Sequence, residues 1–358
     1  MKPANVTGYA GLTRMICPRL AIALLALGAV PTSLTSSLAQ LPTNTVVATI
    51  PVGSGPGWTV VSPDSSTVYV INDTDGTVSV INASTNTVTS VITVGSLPAQ
   101  GGISPDGKTL YVLNEAADNV AIISTASNTV TGTFKIGKHG DGLAVSPDGK
   151  ELYLGRAYVF RNGKGTIKSV DTTTNKITST VVLGALDPLT VLFRPDGSSA
   201  YISAANEFGK NNRFPQKLIQ IDTATHMIVS TTGLKAVENN VGYAYMAINP
   251  AGTVLYVDQL NEILVVDTSD KKVSATISLP GSASQGAVTP DGQYFYVPIY
   301  STTPGTVVTI STATNQVVGT PVTVGNEPGV VAIAPDGNYA YVTNSQDNTV
   351  TVISISPP

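Results

Sequence analysis

Three stretches of this chain collect arginine, lysine and aromatic residues, side chains that commonly form binding surfaces. They are residues 156–165, 205–216 and 235–243. Arginine offers a planar set of hydrogen-bond donors and stacks on aromatic rings, so this combination favours recognition of a ligand or partner. The predicted binding residues are Arg156, Tyr158, Arg161, Lys164, Phe208, Lys210, Arg213, Phe214 and Tyr243. The alternative is that these stretches are surface insertions with no ligand.

Catalysis has few candidate residues, because the chain has only two histidines. His139 lies in a glycine-rich segment beside Asp141, and histidine titrates near neutral pH, so the two form a candidate acid–base pair. His226 lies in a predicted turn, Thr225-His226-Met227, on the face of uniform turns, and we interpret it as a solvated turn residue. The spacing of Asp, Glu and His indicates no metal site. We predict no cofactor.

A repeated motif shows which elements must position these residues. A proline, usually followed by Asp-Gly, precedes an aromatic strand seven times, at Pro63, Pro105, Pro147, Pro195, Pro250, Pro290 and Pro335. Successive prolines are 42, 42, 48, 55, 40 and 45 residues apart. A period of roughly 40–50 residues with about four strands per unit predicts a β-propeller. The predicted fold class is therefore all-β, a seven-bladed propeller of four-stranded blades.

Each repeat has the same predicted strand order, and a tyrosine recurs in its second strand, where we expect it to pack between sheets. The Pro-Asp-Gly turns and the second set of turns are short and uniform, which indicates a structural face. The three insertions belong to the opposite face and to consecutive blades, so we expect them to cluster. Trp58 lies five residues before the first repeat proline. We expect it either to line the channel rim and stack on a ligand, or to form a wedge between the first and last blades.

The two ends of the propeller sequence are complementary. The last repeat lacks an outer strand. The segment Val46–Ile50 has the sequence pattern of an outer strand but precedes the first repeat. We predict that these two pair and close the ring, which removes exposed sheet edges.

Tyr341-Val342-Thr343-Asn344 matches the signature of the YVTN β-propeller repeat family, and the segments that begin at Tyr69 and Tyr111 are near copies. The chain resembles that family over residues 43–355. The resemblance implies an exported propeller better than it implies an activity. Some seven-bladed propellers with similar repeats are lactonases. The sequence therefore predicts a non-catalytic binding or scaffold protein, with a lactonase-like hydrolase acting at the mouth of the central channel as the alternative.

The N-terminal residues 1–39 read as a secretory signal, and residues 40–358 as one propeller domain. Lys2, Arg14 and Arg19 precede or flank an apolar stretch, Leu20 to Val30, that is too short to span a bilayer. Cleavage after Ala39 would remove the only cysteine and change the net charge from −4 to −7. We expect a periplasmic or extracellular protein. Its partner would be a protein, a polysaccharide or a small ligand, and the negative charge disfavours nucleic acid.

Overall fold

The fold is built from short, Val- and Thr-rich strands separated by tight turns. The computed structural model describes residues 41–137, 140–157, 164–205, 213–214, 216–235, 237–238 and 244–356. The predicted signal peptide lies outside the described residues, so its cleavage stays a prediction. Residues 41–358 form one compact unit. No helix in the described ranges is long and apolar enough to cross a membrane.

Seven antiparallel sheets of four strands account for nearly all strands of the described residues. The inner strands are β2 (Pro56–Val61), β6 (Pro98–Ile103), β10 (Gly140–Val145), β14 (Asp187–Phe193), β20 (Met246–Ile248), β24 (Ala287–Val288) and β28 (Pro328–Ile333). The second strands are β3 (Thr67–Asn72), β7 (Thr109–Asn114), β11 (Glu151–Arg156), β15 (Ser199–Ala205), β21 (Val254–Asp258), β25 (Tyr294–Ile299) and β29 (Tyr339–Asn344). Numbered by these strands, they define blades 1 to 7.

The two remaining positions in each blade follow the same order. The third strands are β4 (Thr77–Asn82), β8 (Asn119–Ser124), β12 (Gly165–Asp171), β17 (Gln216–Asp222), β22 (Glu262–Asp267), β26 (Thr306–Ser311) and β30 (Thr349–Ser356). The outer strands are β5 (Thr87–Thr93), β9 (Thr129–Lys135), β13 (Lys176–Gly184), β18 (Met227–Gly233), β23 (Val273–Ser278), β27 (Gln316–Thr323) and β1 (Thr43–Pro51). The predicted seven-bladed propeller is confirmed.

The first strand of the propeller completes the last blade. Strand β1 pairs with β30, with Thr43 opposite Ser356 and Pro51 opposite Thr349. The hydroxyl of Tyr296, in blade 6, donates to Oδ1 of Asn44 at 2.7 Å, so β1 also contacts the neighbouring blade. The chain therefore closes the ring by pairing segments about 300 residues apart in sequence, as the two complementary ends predict.

The hydrophobic core lies between blades. Seven clusters of buried apolar residues each join one blade to the next, and the seventh joins blade 7 to blade 1. Every cluster contains one of the repeated tyrosines, namely Tyr69, Tyr111, Tyr153, Tyr201, Tyr256, Tyr296 and Tyr341. No blade buries both faces alone, so the stability of each depends on its neighbours.

Candidate functional site

One face of the propeller is made of nearly identical turns. In the first blade Ser62 Oγ donates to Asp64 Oδ1 at 2.6 Å, and the backbone N–H of Ser66 donates to the same oxygen at 3.0 Å. The same pattern recurs around the aspartates Asp106, Asp148 and Asp291. These bonds lower the pKa of Asp64, Asp106 and Asp148, because they stabilise the ionised carboxylate. The aspartates of this face are therefore structural.

The opposite face carries the insertions, because antiparallel order places the second-to-third turns and the links between blades there. Two of the insertions meet in a short ribbon outside the blades. Strand β16 (Arg213–Phe214) pairs with β19 (Val237–Glu238), with Arg213 opposite Glu238. The insertion within blade 4 thus contacts the link between blades 4 and 5. The expected clustering is observed for these two segments.

Half of the predicted binding residues, and the catalytic candidate His139, lie outside the described residues. Their positions stay predictions: His139, Tyr158, Arg161, Phe208, Lys210 and Tyr243 lie outside the described residues. Arg213 and Phe214 are described by their backbone only. Lys164 is exposed, and Arg156 is half-buried at the end of β11. Asp141 lies in the inner strand β10 and takes part in an interaction.

Arg156 has a cationic neighbour that the sequence alone did not single out. A Cβ added to Gly137, in the link between blades 2 and 3, would lie 3.5 Å from Lys168 Nζ and 3.8 Å from Arg156 Nε. Lys168 Nζ also donates to the carbonyl oxygen of Ile136. Burial lowers the pKa of Lys168, and the charge of Arg156 lowers it further. Two positive groups therefore share one half-buried place beside the first insertion.

Trp58 and Gln100, in the inner strands β2 and β6, each form a hydrogen bond to the following blade. Trp58 Nε1 donates to the carbonyl oxygen of Gly101 at 3.0 Å, and its ring packs against the core between blades 1 and 2. The wedge that we expected between the first and last blades thus forms between the first and second. Ligand stacking on Trp58 stays a prediction. Gln100 Oε1 likewise accepts the backbone N–H of Leu143 at 2.9 Å.

A buried polar cluster lies at the base of the ribbon, and sequence reasoning missed it. Gln259 Nε2 donates to Gln216 Oε1 at 2.9 Å and to the carbonyl oxygen of Lys235 at 3.0 Å. Asp258 is 4% exposed, and burial raises the pKa of its carboxyl well above the ordinary value. Asp258 Oδ1 has no hydrogen-bond partner within the described ranges. Asp258 itself was the available sequence signal. It is an acid at the end of a second strand, where other blades have an apolar or hydroxyl side chain.

His226 lies in the predicted turn, but the interpretation of its side chain as solvated is wrong, because the imidazole contacts the neighbouring blade. Its Nδ1 lies 2.8 Å from Tyr153 Oη and 3.1 Å from Ser169 Oγ, and its Nε2 lies 3.5 Å from Glu151 Oε1. The imidazole reaches from a turn of blade 4 into blade 3 because the alternation of β11 and β12 aims these three side chains at the next blade. Ser169 is fully buried, so this group joins blades and offers no accessible nucleophile.

Two open clefts lie on the uniform-turn face. One, of about 640 Å³, separates the turns of blades 3 and 4, and the other, of about 420 Å³, separates those of blades 6 and 7. The walls of the first include Asp148, Asp171 and Asp196, whose carboxylates accept hydrogen bonds from their own turns. Repetition of the cleft at another blade boundary indicates that it results from the repeat geometry.

Comparison with known proteins supports the propeller fold. Residues 33–193 match the model of a family described as lactonase, 7-bladed beta-propeller. This match covers less than half of the chain. No curated protein matches the sequence. A solved structure, Kuenenia stuttgartiensis hydrazine synthase, is similar with 22% identity over 85% of this chain and 96% of that chain, at a TM-score of 0.75. At that identity the likeness shows the fold alone.

No group of three or more His, Cys, Asp or Glu side chains in the described ranges is arranged to hold a metal ion. The described polar and charged groups near the insertions are Arg156, Lys168, Asp141 and the buried polar cluster. These groups hold charge and donate or accept hydrogen bonds at the face that varies most in sequence. The specific YVTN resemblance stays a prediction.

Proposed function

We propose that this propeller is an exported binding protein that holds its ligand on the face formed by residues 156–165, 205–216 and 235–243. The observation that carries the proposal is the β16–β19 ribbon, in which Arg213 lies opposite Glu238 in the strand register. The ribbon joins two insertions into one surface. Long loops placed by a rigid scaffold are where binding sites usually occur.

The contrast between the two faces supports this assignment. Side chains of the uniform face are used by their own turns, as the bonds to Asp64 and Asp148 illustrate. The insertion face carries Arg156, the Lys235–Glu262 ion pair at 2.6 Å and the buried Asp258. A buried polar atom without a hydrogen-bond partner, such as Asp258 Oδ1, costs stability and needs an explanation, of which a functional role is one.

A ligand screen tests the proposal. The full chain would be melted against lactones, sugars, divalent metal ions, quinones, oligonucleotides and cell-wall fragments. A ligand at 100 times its dissociation constant stabilises the protein by about 2.7 kcal/mol, which is easily measured. Arg156→Ala, Arg161→Ala and Arg213→Ala should each weaken binding of the ligand found.

Lys150→Ala is the matched control for these variants. Lys150 belongs to the uniform face, its side chain is 80% exposed, and its partner is Asp148 of the same turn at 3.5 Å. This variant should bind the ligand like the unmodified chain. Equal loss of binding in Lys150→Ala and in the three arginine variants would overturn the location of the site.

Lactone hydrolysis is the second candidate, and the family match over residues 33–193 favours it. The matched segment includes His139, Asp141 and Arg156. In this hypothesis His139 acts as general base beside Asp141, at the mouth of the channel. A pH-stat assay with a series of lactones tests it. Hydrolysis that is lost in His139→Asn and kept in Lys150→Ala would replace the binding proposal, and hydrolysis that survives in His139→Asn would reject this mechanism.

Export is part of the proposal and has its own test. Residues 1–39 contain positively charged residues, then an apolar stretch and then a small-residue site. This order supports a cleaved signal peptide. N-terminal sequencing of the protein recovered from the periplasm or medium should begin at Gln40. Recovery in the cytoplasm with an intact N-terminus would contradict export and leave the ligand site untouched.

A further inference from the structure

Blade 4 departs from the repeat in the turn that precedes its outer strand. The residue with left-handed backbone in that turn is His226, with φ of 53°. The same position holds asparagine in blades 1, 2, 3 and 6, namely Asn86, Asn128, Asn175 and Asn315. Asparagine adopts this conformation more readily than most residues. The turn therefore forms without an imidazole, and His226 adds a nitrogen ligand to this blade boundary.

Blade 3 departs from the repeat at the position that faces this histidine. Glu151 is the first residue of β11 and lies four positions after the repeat proline Pro147. The equivalent residues of the other blades are neutral, namely Thr67, Thr109, Ser199, Val254, Tyr294 and Tyr339. Oε1 of Glu151 lies 3.5 Å from Nε2 of His226. Two departures from the repeat, in different blades, thus bring a carboxylate and an imidazole together.

Two hydroxyl groups hold the imidazole in place through its other nitrogen. Nδ1 of His226 lies 2.8 Å from Tyr153 Oη and 3.1 Å from Ser169 Oγ. In the tautomer with the proton on Nδ1, either hydroxyl oxygen can accept that proton in a hydrogen bond. Both hydroxyl-bearing residues are buried. Histidines that bind metal ions are oriented in this way, with one ring nitrogen as ligand and the other N–H donated to a polar neighbour.

The distance between Nε2 of His226 and Oε1 of Glu151 suits two ligands of one metal ion. At 3.5 Å it is longer than an ordinary N–H···O hydrogen bond. Tetrahedral Zn²⁺ binds imidazole nitrogen at about 2.0–2.1 Å and carboxylate oxygen at about 2.0–2.2 Å, which places two such ligand atoms roughly 3.4 Å apart. The two side chains are 22% and 26% exposed, so an ion from solvent can reach both.

The cleft beside this pair favours a cation. Glu151 lines the opening of about 640 Å³ between the turns of blades 3 and 4, together with Asp148, Asp171 and Asp196. Lys150 supplies the one ammonium group among the described residues of the walls, and it pairs with Asp148 at 3.5 Å. A cleft with an excess of carboxylates attracts cations and raises their local concentration.

The shape of the cleft comes from the repeat, but its possible ligands do not. The similar cleft between blades 6 and 7 has Tyr294 at the position of Glu151, and Asn315 in blade 6 stands at the turn position of His226. Both clefts carry turn aspartates, such as Asp148 and Asp291. An imidazole beside a carboxylate therefore distinguishes the boundary between blades 3 and 4.

We propose that Glu151 and His226 form a Zn²⁺ site that bridges blades 3 and 4 on the uniform-turn face. The described residues contain no group of three His, Cys, Asp or Glu side chains arranged to hold a metal ion, so these two are the protein ligands and water from the cleft completes the coordination. Imidazole with carboxylate favours Zn²⁺ over Mg²⁺ and Ca²⁺, which prefer oxygen ligands. The site lies on the face opposite the insertions and does not depend on the proposed function.

Calorimetric titration of the full chain with zinc chloride tests the site, with protein prepared without a histidine tag. His226→Asn restores the turn residue of four other blades and should therefore fold. Glu151→Gln keeps the shape of the side chain and removes its charge. Asp291→Asn is the matched control, because it removes a carboxylate from the similar cleft between blades 6 and 7 and keeps a side-chain oxygen for the turn.

The unmodified chain and Asp291→Asn should bind one Zn²⁺ per chain with equal affinity, and an excess of Mg²⁺ should not displace it. His226→Asn and Glu151→Gln should each bind Zn²⁺ more weakly by about tenfold or more, since even changes to the partners of a metal ligand cost about that much. Zinc affinity that is unchanged in either variant, absent from the unmodified chain or abolished by Mg²⁺ would overturn the site. If His226→Asn fails to fold, Glu151→Gln alone decides.

Discussion

Tyr153 Oη lies 2.8 Å from His226 Nδ1, and this contact joins the third blade to the fourth. The two residues are 73 positions apart in the chain. The ring of Tyr153 also lies 4.7 Å from that of Phe193 in blade 4. One side chain therefore contributes both an apolar and a polar contact to the same boundary.

Removal of either partner should weaken this boundary. Tyr153→Phe and His226→Asn should each lower the free energy of unfolding by about 1 kcal/mol, the usual net value of such a hydrogen bond. Asparagine is the suitable replacement because the left-handed turn position of His226, with φ of 53°, holds asparagine in blade 1, where Asn86 has φ of 52°. Denaturant unfolding of both single variants and the double variant measures the coupling. Fully additive losses would mean that the two side chains act independently.

Alkaline pH should unfold the propeller cooperatively. Burial raises the pKa of Tyr153, Tyr296 and Tyr341 to about 12, and it raises the pKa of the four other repeated tyrosines as well. An unfolded tyrosine titrates near 10. The folded state thus holds these protons more tightly, so its stability is intact below about pH 10 and falls as pH rises toward 12.

Melting temperature and tyrosinate absorbance, followed together between pH 8 and 12, check this prediction. The absorbance change of the buried rings should coincide with loss of the fold. Tyr153→Phe should make the fall in stability shallower, because one of the shifted groups is gone. Titration of all tyrosines near pH 10 in a protein that stays folded would contradict the account.

Deletion of residues 41–52 should destabilise the whole ring. The deletion removes β1, exposes the edge of β30, and takes away the acceptor of the Tyr296 hydroxyl. The loss should approach the whole stability of a typical domain, 5–15 kcal/mol by order of magnitude, and the exposed edge should promote aggregation.

Asn44→Ala is the milder comparison for this deletion. It keeps the strand pairing and removes the contacts to Tyr296 and Thr309, so it should cost about 1–2 kcal/mol. Thermal unfolding and sedimentation would follow both proteins. A deletion variant that melts like the full chain would show that closure by β1 does not hold the ring together.

Gly165→Ala should disturb the link between blades 3 and 4. A Cβ at Gly165 would lie 1.7 Å from the backbone oxygen of Leu186, which forces the main chain to move. Overpacking of this kind costs typically about 1–3 kcal/mol. Gly132→Ala is the matched control, since its Cβ would meet only Ile122 Cδ1 at 3.8 Å. Similar unfolding midpoints for the two variants would refute the steric explanation.

The repeat, the number of blades and ring closure were predictable from sequence. Each depends on local patterns, such as the turn at Pro105–Gly107, or on a fixed period that places like residues in like strands. The recurrence of Tyr111 and its equivalents was visible for the same reason. Because the core forms only between neighbouring blades, every blade needs apolar and aromatic residues at the same positions, and these recur in each repeat.

The residues that distinguish one blade from another were decided by the tertiary structure. Trp58 meets Gly101 in the second blade, His226 meets Tyr153, and Lys168 joins Arg156 beside Gly137. Strand alternation sets which face a side chain takes, but the atoms it meets belong to another blade or link. Sequence by itself therefore determined the repeated blades of this protein. Only the closed propeller decided which charged and aromatic side chains from different blades come together.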